Sequence, residues 1–144
     1  MCTTITLGFN PKVNTMNAVA YELINQDKQK AASVALKTFF NIMEKWVVKN
    51  QTQMALLGFP SQGTFYKWKK GEASTISIDT LERCSYIMGI YKALGVLFPT
   101  REQADAWPTK ENEAFDGLSA LDYMAKGSMM QLLETRRYLD AQRG

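Results

Sequence analysis

The stretch Gly58-Phe59-Pro60-Ser61-Gln62-Gly63-Thr64-Phe65-Tyr66-Lys67-Trp68-Lys69-Lys70-Gly71, GFPSQGTFYKWKKG, decides how the whole chain is read. Gly58 and Pro60 mark a tight turn. Ser61 carries an oxygen that can cap the first N–H groups of a new helix, and Gly71 closes that helix. Just upstream, Gln51 to Leu57 reads as another short helix, so only Gly58-Phe59-Pro60 separates the two. Two short helices joined in this way, the second of them basic, form the helix-turn-helix arrangement. In it the first helix braces across a DNA backbone while the second lies in the major groove. Leu56, Leu57, Phe65 and Trp68 are spaced to pack the pair together, which assigns the two aromatics to core. Ser61, Gln62, Thr64 and Lys67 fall toward the start and outward face of the second helix. Gln62 is the best single candidate for base readout, because its amide can bond adenine bidentately. Lys67, Lys69 and Lys70 suit phosphate contacts, which position without specifying. Tyr66 completes the candidate DNA-binding set, and Gly63 lets the backbone approach closely.

Charge supports a polyanionic partner. The formal net charge of +3 hides an asymmetry, since residues 28–71 hold eight lysines against the single acid Glu44. Residues 72–144 reverse the balance, with eight basic residues against eleven acids. A basic segment joined to a mildly acidic one points to two partners of different chemistry. Several functions are excluded by composition. The chain has no histidine and two cysteines, Cys2 and Cys84, far apart, so neither a usual zinc site nor an imidazole base is available. The two cysteines fit a reducing cytoplasm better than a disulfide framework. The opening MCTTITLGFN has no basic leader ahead of an apolar core, and no apolar run is long enough to span a bilayer. The expectation is a cytoplasmic protein that is not an enzyme and carries no cofactor or metal.

Along the chain, residues 1–27 show no sustained period and read as a flexible arm with a short helix near Met16–Ile24. From Lys28, apolar residues recur at helical steps through Ala32, Leu36, Phe39, Phe40, Met43, Trp46 and Val47, predicting a helix that ends near Lys49. Asn50 and Gln53 then read as a capping box for the next helix. Residues 28–76 are assigned to a DNA-binding domain and 77–144 to a second helical domain. Ser77 caps a long helix whose buried stripe runs Ile78, Leu81, Cys84, Ile87, Met88, Tyr91 and Leu94. Thr100, Ser119 and Ser128 each cap a later helix, the last reaching about Arg143. No segment reads as a strand, so the fold class is all-α.

The residues now in view resemble a known family. Trp46, Leu56-Leu57-Gly58 and Thr64-Phe65-Tyr66-Lys67-Trp68 with Gly71 are similar to the Cro-type helix-turn-helix of Xre-family antitoxins. Leu81-Glu82-Arg83 through Ile90, Leu94, Leu97-Phe98-Pro99, Ala104 to Trp107, Asn112, Phe115 to Ser119, Gly127 and Leu139 to Gly144 resemble the toxin-binding domain of Xre/MbcA/ParS antitoxins. One departure is Ala120, where many relatives carry proline at the helix's first position; alanine is also comfortable there. The resemblance implies a type II antitoxin that occludes the active site of a RES-type, NAD⁺-consuming toxin and represses its own promoter. A stand-alone, phage-like helix-turn-helix regulator with a dimerising C-terminal half is the alternative.

In the C-terminal half, Met129, Met130, Leu132, Leu133, Tyr138 and Leu139 make the last helix apolar over more than one face. Two accounts stand: a small core that needs every apolar group, or a surface for another chain, which adaptable methionines suit. Arg136, Arg137 and Arg143 crowd the final turns, where cations suit the negative end of a helix dipole. In the other account they face an acidic or substrate-binding cleft of the toxin. Arg136, Arg137, Asp140, Arg143 and Gly144 form the candidate toxin-binding set. A homodimer on operator DNA is expected, held mainly by the C-terminal half around Leu94–Phe98 and Met129–Leu133.

Overall fold

The computed structural model describes residues 11–73 and 75–144 and begins with one unbroken helix, α1 (Pro11–Trp46), 36 residues long. The expected arm over residues 1–27, with a separate helix at Met16–Ile24 and a fresh start at Lys28, is thereby corrected from residue 11 onward. The reason is local: Pro11 sits at the first helical position, where its missing N–H costs nothing, and no glycine or proline follows before Gly58. Residues 1–10 lie outside the described residues. The helix stops at Trp46 because Val47 takes a left-handed conformation, with φ 55°, and is exposed.

The next helix, α2 (Asn50–Leu56), corrects the predicted capping box. Lys49 occupies the N-cap without a side-chain bond, and Asn50 is the first helical residue. Gln53 turns inward instead and donates its amide N–H to the Val48 carbonyl at 2.8 Å. After the turn comes α3 (Gln62–Lys69), capped by Ser61 as the sequence predicts. Then follow α4 (Ile78–Leu97), α5 (Arg101–Ala106), α6 (Ala120–Met124) and α7 (Met129–Gln142), with 3₁₀ turns at Trp107–Thr109 and Glu113–Phe115. The Ser77, Thr100, Ser119 and Ser128 side chains each accept a backbone N–H at the start of α4, α5, α6 and α7 respectively. At Ser128 the box is complete, because Gln131 reaches back to the cap's own N–H. The fold is all-α, and an isolated bridge between Glu111 and Ser119 is the only β pairing among the described residues.

The centre of the molecule is α4. It packs chiefly against α7 on one side and α1 on the other. Cys84, Ile87, Ile90 and Leu94 are fully buried within it, whereas Ile78, placed in the buried stripe by its spacing, is exposed at the helix entry. One apolar cluster runs from Leu36, Phe39 and Trp46 of α1, through Phe65 of α3 and the α4 stripe, to Met124, Leu132 and Leu139. The helix-turn-helix and the C-terminal helices therefore share a single core. Phe40 and Phe65 meet edge to face at 5.7 Å, which fixes α3 on α1 through the geometry aromatic quadrupoles prefer.

Candidate functional sites

The outward face of α3 follows from its buried face. Phe65 is fully buried and Trp68 half-buried, so at about 100° per residue the opposite side is centred on Gly63, flanked by Tyr66, Lys67 and Lys70. A Cβ built on Gly63 meets nothing within 4 Å, so the centre of this face is open space. Lys67 and Lys70 are exposed and enter no salt bridge among the described residues. Lys69 is different. Its ammonium donates to Asn50 Oδ1 and lies 5.6 Å from the Phe65 ring centre, on the α2 side. Tyr66, 44% exposed, shares the same Asn50, whose Nδ2 donates to the phenol at 3.5 Å. Ser61 and Thr64 are engaged with each other: Ser61 Oγ accepts the Thr64 N–H at 3.2 Å and donates to Thr64 Oγ1 at 2.9 Å. Gln62 is exposed at the first turn, with no side-chain hydrogen bond among the described residues. Of the seven predicted DNA-binding residues, the structure thus leaves Gln62, Lys67 and Lys70 unencumbered and gives the others internal partners.

The turn between α2 and α3 is held from outside the motif. Gly58, with φ 87°, lies under the Arg83 guanidinium of α4, and a Cβ there would sit 3.1 Å from Arg83 Nε. Arg83 is buried, donates from Nε to Asp79 at 2.8 Å and reaches the Leu56 carbonyl at 3.5 Å. Its guanidinium satisfies an acceptor at the end of α2 and fixes where α3 begins. Phe59, also left-handed at φ 60°, lays its ring on Gly127 in the α6–α7 turn, where a Cβ would collide with it. Neither Arg83 nor Phe59 shows its role in the sequence, because each acts through a partner more than twenty residues away that no local spacing reveals.

Residues 26–89 match the family model of the antitoxin Xre-like helix-turn-helix domain, and residues 93–144 match that of the antitoxin Xre/MbcA/ParS C-terminal toxin-binding domain. A relative described as "Uncharacterized protein y4oB" of Sinorhizobium fredii (strain NBRC 101917 / NGR234) is 47% identical over 109 residues, which are 76% of this chain and 84% of the relative. The chain belongs to the Xre/MbcA/ParS antitoxin family. The two matched regions of this antitoxin-family chain meet inside α4, between Gly89 and Ala93.

The toxin-binding region of an Xre-family chain ends here in α7. The structure draws Arg136, Asp140 and Arg143 together on this helix: Arg136 Nε donates to both Asp140 oxygens at 3.1 and 3.2 Å, and Arg143 lies 3.7 Å from the same carboxylate. Arg136 also lies directly over Gly89 of α4, where any Cβ would displace its guanidinium. It is therefore seated on its own chain. Arg137, Arg143 and Gly144 are exposed. Of the apolar residues expected to glue a dimer, Leu94 and Leu132 are fully buried, Leu97, Phe98, Met129 and Leu133 are half-buried, and Val96 and Met130 are exposed.

Two side chains have shifted proton affinities. Burial pushes the Cys84 thiol up to about 12, which makes it a poor nucleophile. A hydrogen bond to Glu134 raises Tyr123 above the ordinary phenol value, so Tyr123 stays a donor. No cluster of residues suited to hold a metal ion occurs among the described residues, and no helix among them is long and apolar enough to cross a membrane.

Proposed function

We propose that this chain is the cytoplasmic antitoxin of a two-gene module, capping the active site of a RES-type toxin that consumes NAD⁺ and repressing its own operon. In this reading α3 enters the major groove. Gln62 reads a base edge, Lys67 and Lys70 hold phosphates, and Tyr66, Lys69, Ser61 and Thr64 set the helix in place. A homodimer places two such helices on half-sites about one helical turn apart. Arg137, Arg143 and Gly144, exposed at the end of α7, approach the toxin's cleft, where a guanidinium pairs with a carboxylate or takes a position meant for a phosphate. The observation that carries the reading is the ordered pair of antitoxin-family regions within one chain.

The test is co-expression with the product of the adjacent gene. Copurification of the two, with NAD⁺ consumption suppressed in the complex and restored when the antitoxin is removed, is the expected result. Operator binding without capture of any neighbouring protein would instead favour the stand-alone regulator. Copurification with a toxin that leaves NAD⁺ untouched would keep the antitoxin and discard the RES assignment.

A further inference from the structure

The N-terminal part of α1 carries apolar residues that no described residue covers. Val19, Leu23, Ile24 and Val34 are between 49% and 57% exposed. An isolated helical stretch of about 12–15 residues is marginal in water, and helices gain most of their stability from burying an apolar face. The core-facing side of α1 is occupied by Leu36, Phe39 and Met43. At about 100° per residue, Leu23, Asp27, Lys30 and Val34 form a second stripe on the side away from that core. Their spacing of four, three and four residues is that of a two-helix seam. Three of the stripe's residues, Asp27, Lys30 and Val34, together with Ala31 of α1 and Leu81 and Met88 of α4, line a shallow, mostly apolar groove.

We infer that this face is the dimer interface, and that its occupant is α1 of a second copy, antiparallel. The argument is self-complementarity. A two-fold interface requires that when residue i meets residue j, j also meets i. Centred between Lys28 and Gln29, an antiparallel pair sets Leu23 of each copy against Val34 of the other and Asp27 of each against Lys30 of the other. The stripe's two apolar residues meet, its acid meets its base, and both happen twice in one register. Parallel pairing would instead place Asp27 on Asp27 and Lys30 on Lys30, which is repulsive. The groove with Leu81 and Met88 extends the apolar part of this contact. The interface supplies the two-fold axis that the proposed operator complex needs, and it rests on that reading for its biological use alone.

The experiment is sedimentation equilibrium of the full-length chain, with far-UV circular dichroism to confirm folding. Wild type should be a dimer. Asp27→Lys and Lys30→Asp should each raise the dimer dissociation constant by about tenfold or more, because each turns two attractive contacts into like-charge ones. The double exchange, Asp27→Lys with Lys30→Asp, should restore dimerisation, and so should mixing the two single variants. A wild-type monomer at tens of micromolar, or single variants that dimerise normally, or a double exchange no better than the singles, would each overturn the assignment. Toxin copurification is followed on the same proteins: its survival with a failed charge exchange removes the interface only, and its failure with a successful exchange removes only the toxin reading.

Discussion

The helices α3 and α7 both carry basic residues, and they treat those charges in opposite ways. On α3 and its C-cap, Lys67 and Lys70 enter no salt bridge among the described residues and stand around the open position of Gly63. On α7, Arg136 and Arg143 converge on Asp140, and Arg136 is further seated on Gly89. Unpaired ammonium groups keep their full attraction for a polyanion and bind it through counterion release. A pre-paired guanidinium has spent part of that attraction and offers instead a fixed planar donor set. In the proposed function, the difference would separate a surface that recognises charge density from one that recognises shape.

The largest test of the comparison asks whether the two helices are thermodynamically separate. Phe65 is fully buried where α3 meets the common core, so Phe65→Ala should cost about 3–5 kcal/mol. Because the core is continuous, denaturation followed by fluorescence and by circular dichroism should shift as one transition. Two transitions, with only one displaced, would divide the molecule into independent halves.

Removing residues 140–144 comes next. It eliminates Asp140, Arg143 and Gly144 together, and should weaken toxin inhibition by about thirtyfold or more while leaving operator affinity unchanged. Arg143→Ala should reproduce part of the loss. Full inhibition of NAD⁺ consumption by the truncated chain would move neutralisation away from the end of α7.

On α3 the expected effects are smaller and divide by chemistry. Replacing Lys67 and Lys70 by alanine should weaken binding to all sequences and flatten the plot of log K against log salt by about 1.8, or about 0.9 per lost phosphate contact. Gln62→Ala should instead narrow the gap between operator and random DNA by about 1–3 kcal/mol with the salt slope unchanged. Fluorescence anisotropy over a salt series measures both. If the double lysine variant keeps the parent slope, the unpaired cations of α3 do not meet phosphate.

The smallest effect at neutral pH belongs to Cys84, in the helix both halves share. Its folded-state proton affinity is raised from 9.0 to about 12, so the folded chain resists forming the thiolate. Stability from this group is complete below about pH 9 and declines as pH rises from there toward 12. In a Cys2→Ser background, thiol labelling at neutral pH should therefore proceed only at the rate of unfolding. Rapid labelling of the native chain would mean that α4 opens locally.

What could be read from sequence was whatever is decided within a few residues. The caps at Ser61, Ser77, Thr100, Ser119 and Ser128 were legible because a hydroxyl bonding an N–H two or three residues on is local chemistry. The burial of Phe65 and the outward side of α3 followed from helical period alone. Asn50 was misplaced by one position because Val47 adopts a left-handed conformation, which a β-branched residue's propensity argues against. The beginning of α1 is not legible because residues 1–27 show no sustained apolar period, and the absence of breakers after Pro11 outweighs that. Arg83 over Gly58, Phe59 on Gly127 and Arg136 over Gly89 were beyond reach. Each depends on a small residue admitting a large one from a distant segment, and that juxtaposition exists only after folding.

The meeting of the two family regions inside α4 bears on how such a protein can change its partners. Modules joined by a loop can be exchanged by recombination at the loop, because nothing on either side needs to fit the other. Here a crossover between Gly89 and Ala93 would cut through a helix that packs against both α1 and α7, joining two halves chosen against different neighbours. Fully buried Ile87 and Leu94 flank that seam and fully buried Ile90 lies within it, so a hybrid must match side-chain volumes on both faces at once. If α3 and α7 carry the proposed DNA and toxin contacts, new specificity is reached more readily by substitutions on their outer faces than by shuffling halves.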